Sequence, residues 1–537
     1  HELNTLDIKN AMASGKDILG ELYEKFLKYG NGAKEIGIVL TPRHITEFAV
    51  QVLSITHQDY IFDPTCGTGG FLVSAFDAVR QVASNAQIDG FKTHHLFGIE
   101  QDDEVVALAL VNMIFRGDGR NNMSEGNCFK KNLIKTIKGT VKTGVFTNRL
   151  RDNKLQACNA PIITKVLMNP PFALKRGDEK ESQFIDYALS QMEDSGLLFA
   201  IVPISVMAES SGAYWRSQLL DKHTLLSVIT LPEDLFYPVM IGTVGVFIKK
   251  GVPHNFETQP VYFARAITDG FAKKKGKRLR SDSAPNYLAA ITQELTLFLL
   301  NQTIAVASVP EFKRVTTLDR HDTARELVPE RYIESKIPSC IESETALDTV
   351  VKESVAYLIK QKKWRAISLK KEPKIIKSVP LIYTACQPDG LCTLSKKTAL
   401  PKNQVGTGDT PYVTTSSLNN GVSGFCDHAP NFEGGCLTVA LNGSVGETFF
   451  QFDAFITSGD NVVLRLKQGY NPHLLFYIAV MIKTHRWRYN YYRKLTIGKL
   501  TALTVPMPFR QNGQLDTDYI ETIVSNSYGF DTLVPYI

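Results

Sequence analysis

The sequence has no run of about eighteen or more apolar residues, so a membrane-spanning helix is not expected. Its opening stretch, "HELNTLDIKN", lacks both the basic start and the apolar core of a secretory signal. The chain begins with His1 and not with methionine, which leaves room for sequence upstream. Eight cysteines are scattered without a C-x-x-C pair and without a Cys/His cluster at zinc spacing. They read as free thiols in a reducing, cytoplasmic compartment, and no metal site is expected. Internal repeats are absent, and charge of one sign is scarce: 60 Lys+Arg against 54 Asp+Glu leaves a net +6. That small excess is uneven, because residues 341–537 hold 21 basic against 16 acidic side chains. A basic C-terminal third points to a polyanionic partner.

What is present is enough for more than one core, since 537 residues exceed an ordinary single domain. Residues 17–29, "DILGELYEKFLKY", place Ile18, Leu19, Leu22, Tyr23, Phe26 and Leu27 on one face at helical spacing. After the "GNG" stop at 30–32, short apolar runs alternate with helical patterns. "DYIFDPTCGTGG", "HHLFGIE", "KVLMNPPF", "GLLFAIVP" and "LLSVITLP" read as buried strands of a sheet wound by helical crossovers. The expected organisation is an N-terminal helical segment (1–50), an α/β domain (51–310), a polar connector (311–345) and a C-terminal α+β domain (346–537). The lysine-rich "KKKGKR" at 273–278 reads first as a solvated loop, with phosphate contact the less common alternative.

The stretch "IFDPTCGTGGFLVSA" (61–75) is an apolar strand, a glycine-rich turn and the start of a helix. Gly67, Gly69 and Gly70 allow a ligand to approach the backbone where side chains would block it. Such units bind nucleotide-like cofactors beside the first strand. Glu100 closes a second strand, where a carboxylate can accept hydrogen bonds from both ribose hydroxyls. The loop departs from G-x-G-x-x-G, because Asp63 and Pro64 precede the glycines. An acid there repels a pyrophosphate and suits a cationic amine or sulfonium next to an adenosine. S-adenosylmethionine is therefore preferred over NAD.

"DPTCGTGGFL" followed by "NPPF" (169–172) resembles the adenine-N6 DNA methyltransferases, in particular type I modification subunits and their fused type IIG relatives. The resemblance covers most of residues 15–280 and implies a Rossmann-like S-adenosylmethionine-dependent methyltransferase sheet. It also implies a cofactor site of Thr41, Pro42, Asp63, Thr65, Gly67, Gly69 and Glu100. Asn127, in "EGNCF", stands where the family usually has an aspartate facing the cofactor's adenine. The tetrapeptide Asn169-Pro170-Pro171-Phe172 corresponds to the family's holder of the target base.

Its chemistry follows from the residue types. The amino group of adenine is a poor nucleophile because its lone pair is delocalised into the ring. Two acceptors aimed at its hydrogens, the Asn169 oxygen and the Pro170 carbonyl, stabilise the positive charge that develops on transfer. Proline fixes φ and adds no competing N–H. Phe172 can stack on a base flipped from the duplex, with Phe236 of "LPEDLFYP" as a second stacking partner. Without its upstream glycine loop, N-P-P would read as a strand-ending turn.

Residues 408–425 and 434–451 resemble target-recognition domains of type I specificity subunits and type IIG enzymes. "HRWRYNYYRK" (485–494) interleaves basic and aromatic residues, making Arg486, Arg488, Arg493 and Lys494 candidate contacts to double-stranded DNA. A helix end packed on a sheet accounts for that composition equally well. A single recognition domain reads one half-site, which implies a homodimer or a separate restriction or specificity subunit. Glu334-x-Lys336 and Glu372-x-Lys374 do not follow an apolar strand with a matching upstream acid, so a nuclease is expected upstream or in a partner, if at all.

Overall fold

The structure, a computed structural model, describes residues 40–114, 122–129, 148–151, 154–157, 163–172, 177–237, 240–274, 277–300, 305–362, 382–397, 405–406, 408–490 and 493–537. The helix expected at 17–29 lies outside the described residues. The chain divides into two compact units, residues 1–334 and 335–537.

In the first unit α1 (Arg43–Val52) precedes β1 (Ile61–Asp63), α2 (Gly70–Arg80), α3 (Asn85–His94), β2 (Leu96–Glu100), α4 (Asp103–Ile114) and β3 (Met123–Glu125). There follow β4 (Ile163–Met168), α5 (Glu181–Gln191), β5 (Met192–Pro203), α6 (Ala213–Lys222), β6 (Thr224–Thr230), β7 (Thr243–Lys249), β8 (Val261–Arg265), α7 (Tyr287–Leu300) and β9 (Lys313–Thr316). The five apolar runs read as strands are β1, β2, β4, β5 and β6. They share one nine-stranded sheet of order β9-β8-β6-β7-β5-β4-β1-β2-β3. β7 inserts antiparallel between β5 and β6, while β1 pairs in parallel with both β2 and β4. Strands buried on both faces read as continuous apolar runs, and Val166, Leu167 and Met168 of β4 have no exposed surface. The order reverses between β1 and β4, and ligands of such sheets bind beyond the strand ends at that point.

Residues 311–345, expected as a connector, hold β9, which closes the sheet antiparallel to β8. Two cations followed by two β-branched residues in "KRVT" carry too short an apolar signal for a strand, so pairing with β8 is what defines it.

In the second unit α8 (Cys340–Lys360) begins at Ser339, whose hydroxyl accepts the Glu342 N–H in a capping box. The unit continues with β10 (Ile382–Cys386), β11 (Cys392–Ser395), β12 (Thr410–Val413), β13 (Val422–Cys426), β14 (Cys436–Ala440), β15 (Thr448–Gln451), β16 (Ile456–Thr457), β17 (Asn461–Leu466), α9 (Pro472–Thr484), β18 (Val505–Phe509) and α10 (Thr517–Ser525). Its sheets have the orders β11-β17-β14-β15, β13-β12-β16 and β10-β18. Residues 474–482 of α9 are all buried, so this helix is the centre of the core. Asn471 caps it by accepting the Leu474 N–H at 3.0 Å, with Pro472 at the first turn.

Candidate active site

The pairing of β1 with β4 brings the glycine loop and the tetrapeptide to adjacent strand ends, although they are distant in sequence. Asp63 ends β1 fully buried, and one of its oxygens accepts the Thr65 N–H at 3.0 Å. Gly67 and Gly69 have φ of +53° and +84°, the left-handed region that glycine enters without strain. Gly69 starts α2, and a Cβ on Gly67 would meet nothing within 4 Å. The first glycine is thus required by the turn, and open space lies beside it.

Glu100 ends β2 and ties this loop down: its Oε2 accepts the Gly67 N–H at 2.9 Å. Its Oε1 accepts the N–H groups of Gln101 (2.7 Å) and Asp102 (3.1 Å). Burial pushes the Asp63 carboxyl well above the ordinary carboxylate range; the Thr65 N–H opposes this and the Glu100 charge adds to it. A buried acid next to a second carboxylate is an environment that a cation relieves. The buried Thr65 hydroxyl also lacks a hydrogen-bond partner. Asn127 lies just past β3, beside the end of β2, where Gly126 N–H reaches the Glu100 carbonyl at 2.8 Å. Its Oδ1 accepts the Phe129 N–H at 2.8 Å, so its Nδ2 hydrogens and one lone pair remain for a ligand.

Asn169 follows β4 directly. Its Nδ2 donates to the Thr41 hydroxyl at 3.0 Å, which sets the orientation of the amide. Its Oδ1 is buried and without a hydrogen-bond partner. A buried acceptor without a partner is costly to maintain, and it is the sort of feature that marks a site. Thr41, assigned to the cofactor by resemblance, therefore touches the tetrapeptide. Pro42 accepts the Ile45 N–H at 2.9 Å with its carbonyl and so begins α1. Pro170 is buried and Pro171 exposed. The half-buried Phe172 ring meets Phe236 edge-on, with centroids 5.8 Å apart at 76°. Phe236 is 4% exposed and packs in the core, where it backs Phe172 and offers no open face of its own.

A network not anticipated from sequence joins these supports. Asp269, 1% exposed, binds His44 Nε2 at 2.6 Å with Oδ2 and the Arg278 guanidinium with Oδ1. Arg278 Nε lies 3.1 Å from Asp234, two residues before Phe236. The His44 ring stacks on Phe271 at 4.7 Å, and the Arg278 guanidinium lies 5.4 Å from the same ring. Burial alone would raise the Asp269 pKa, but the hydrogen bonds from His44 and Arg278 outweigh it and hold the carboxyl below its usual range. The partners come from separate parts of the chain, so no local pattern signals them.

In the second unit Arg486 pairs with the buried Glu447 at 2.5 Å, and Lys483 reaches the same carboxylate at 3.1 Å. Arg488 donates to Ser335 from Nε at 3.2 Å, and Arg493 is 5% exposed with its guanidinium on the Arg488 carbonyl. Of the four basic candidates, Arg493 is turned inward and Arg486 and Arg488 are engaged within the unit. Lys494 is exposed. Charge and aromatic interleaving cannot distinguish a helix end fastened to its own domain from one aimed at phosphate. Among the described residues no group of His, Cys, Asp and Glu could hold a metal, and no helix is long and apolar enough to cross a membrane.

The strand order, the glycine loop and the tetrapeptide at the switch point define the S-adenosylmethionine-dependent methyltransferase fold. The chain belongs to the N-6 DNA methylase family, whose model matches residues 14–336. A type I restriction modification DNA specificity domain matches residues 387–527. The chain is 36% identical over 274 residues to the type II restriction enzyme and methyltransferase RM.BcgI of Heyndrickxia coagulans, covering 50% of this chain and 39% of that protein. It is 27% identical over 274 residues to the type I restriction enzyme EcoKI methylase subunit of Escherichia coli K12, covering 47% and 48%. The specificity subunit S.BcgI of Heyndrickxia coagulans is 26% identical over 143 residues, covering 26% of this chain and 42% of that subunit. The chain thus spans about half, or less, of the length of the curated relatives it matches.

Proposed function

We propose that this chain methylates the N6 amine of an adenine flipped out of double-stranded DNA, within a restriction-modification system. The methyl donor is S-adenosylmethionine, which supplies a methyl already activated on a sulfonium. The observation that carries the reading is the Asn169 amide, its nitrogen tied to Thr41 and its buried oxygen without a partner. That oxygen and the Pro170 carbonyl accept hydrogen bonds from the two N–H groups of the target amine, draw its lone pair out of the ring and stabilise the charge that forms, and the methylated amine then releases one proton to solvent. Phe172, backed by Phe236, walls the base by stacking. Glu100 would accept the ribose hydroxyls of the cofactor, Asn127 would meet its adenine, and Gly67 and Gly69 would leave room for it. Asp63 and Thr65 would lie on the side of its cationic end. No metal or general base is required for this transfer.

The specificity-domain match supports a chain that carries its own target reader, with a second copy or another subunit for a bipartite site. The similarity to a protein named both restriction enzyme and methyltransferase favours a second reading, in which a nuclease lies upstream or in a partner. The test is incubation of plasmid DNA with labelled cofactor, followed by single-molecule sequencing. N6-methyladenine at one recurring sequence is expected; methyl on cytosine, or none with cofactor bound, overturns the proposal.

Cofactor binding is expected to release protons. The carboxyl of Asp63 holds its proton to higher pH than usual in the free protein. A nearby cation favours the ionised form and lowers that pKa on binding. Affinity therefore rises with pH from the ordinary carboxylate range up to the raised free-state pKa, and is flat above it. Calorimetry in buffers of different ionisation enthalpy measures the release directly. Uptake of protons, or none across this window, would place the cation away from Asp63.

A further inference from the structure

We propose that the hairpin formed by Phe271–Lys274 and Lys277–Arg280 grips the phosphate backbone of DNA beside the extruded nucleotide. The inference rests on the DNA-methyltransferase reading and adds a contact surface that lies outside the specificity domain.

The hairpin is antiparallel, with Phe271 opposite Arg280 and Lys273 opposite Arg278. Phe271, Lys273, Arg278 and Arg280 therefore share one face of the ladder, and Lys274 lies on the other. Arg278 points inward and is buried, held between Asp269 and Asp234. Phe271 packs beside it against His44. The root of the hairpin is therefore fixed by a buried ion pair and a ring stack, which is unusual for a solvated basic loop. Lys273, Lys274 and Arg280 are all exposed. Among the described residues none of the three is paired with a carboxylate, and Lys273 lies over the Tyr237 ring at 4.7 Å. Residues 271–280 contain no acid at all. A rigid root under an unneutralised cationic surface suits a polyanion, and phosphate contacts position a duplex without reading its sequence.

Location identifies which phosphates. Arg278 contacts Asp234, the loop from Asp234 reaches Phe236 within two residues, and Phe236 packs on Phe172 of the tetrapeptide. The hairpin thus stands next to the wall against which a flipped base would stack. Flipping a base costs its stacking and pairing, and contacts that hold the flanking backbone help offset that cost. Lys273, Lys274 and Arg280 are placed to hold it, and Asp269 links that grip to α1, whose entry carries Thr41 and through it Asn169.

The test uses the full chain and a labelled mixed-sequence duplex, with binding followed by anisotropy between about 50 and 200 mM salt. Each lost phosphate contact lowers the slope of log affinity against log salt by about 0.9. Lys274→Ala/Arg280→Ala is expected to lower the slope by about two, while the cofactor dissociation constant stays as in the parent. The charge-preserving pair Lys274→Arg/Arg280→Lys is expected to keep the parental slope. An unchanged slope in the alanine pair, or an equal loss in the charge-preserving pair, overturns the hairpin assignment. Transfer of labelled methyl to sheared genomic DNA by the parent chain tests the underlying reading separately. Methyl transfer with an unchanged slope removes only the hairpin, whereas a lowered slope without methyl transfer removes only the methyltransferase reading.

Discussion

Asn169→Ala is expected to lower the rate of methyl transfer about 100- to 1,000-fold, roughly 3–4 kcal/mol in the barrier, with cofactor affinity nearly unchanged. The size follows from where the oxygen acts. It is buried and unpartnered before the base arrives, so its interaction is strongest when the amine has become cationic. Thr41 contributes by holding the amide nitrogen, which keeps the oxygen aimed without reorganisation. Asn169→Asp retains the acceptor but loses the donor to Thr41, and it is expected to keep part of the rate. Single-turnover transfer and cofactor calorimetry on the same preparations separate the effects. Lost cofactor affinity with the transfer step intact would remove Asn169 from the role given to it.

Asp269→Ala is expected to cost the first unit about 3–5 kcal/mol of stability, because it leaves the buried Arg278 guanidinium and the His44 ring without their shared acceptor. The burial of the pair makes the loss large, since an exposed ion pair of the same geometry is worth about 0–1 kcal/mol. Asp269→Ala combined with Arg278→Met also removes the buried guanidinium, whose remaining carboxylate contact is the partly exposed Asp234, and is expected to recover much of the loss. Urea unfolding of the full chain measures both. A cost below about 1 kcal/mol for the single variant, or no recovery in the double, contradicts this account of the network.

Much of the first unit was legible because its strands are buried on both faces, so β1, β2, β4, β5 and β6 stand out as apolar runs between helical patterns. The glycine loop was legible for a different reason: positive φ at Gly67 and Gly69 restricts residue type, and that restriction is visible in one dimension. β9 was not, since two cations followed by two β-branched residues become a strand only by pairing with β8. Nor was the state of the basic–aromatic segment at 485–494, because composition does not say whether an arginine meets a phosphate or a carboxylate of its own domain. For Arg486 the structure supplies one such carboxylate, Glu447 at 2.5 Å.

The residue types therefore determined the chemistry by themselves: an acid before a glycine turn, a carboxylate closing the next strand, and a rigid Asn-Pro-Pro-Phe corner. These are local choices, imposed by backbone conformation and by the groups a ligand must meet. The tertiary structure decided which of them act together. Parallel pairing of β1 with β4 set the loop beside the tetrapeptide, and Thr41 fixed the direction of the Asn169 amide from 128 residues away. Asp269 joined His44, Arg278 and, through Arg278, Asp234 into one support. Contacts between segments so far apart leave no spacing in the sequence to read, because burial and hydrogen-bond satisfaction are settled only when the sheet has closed.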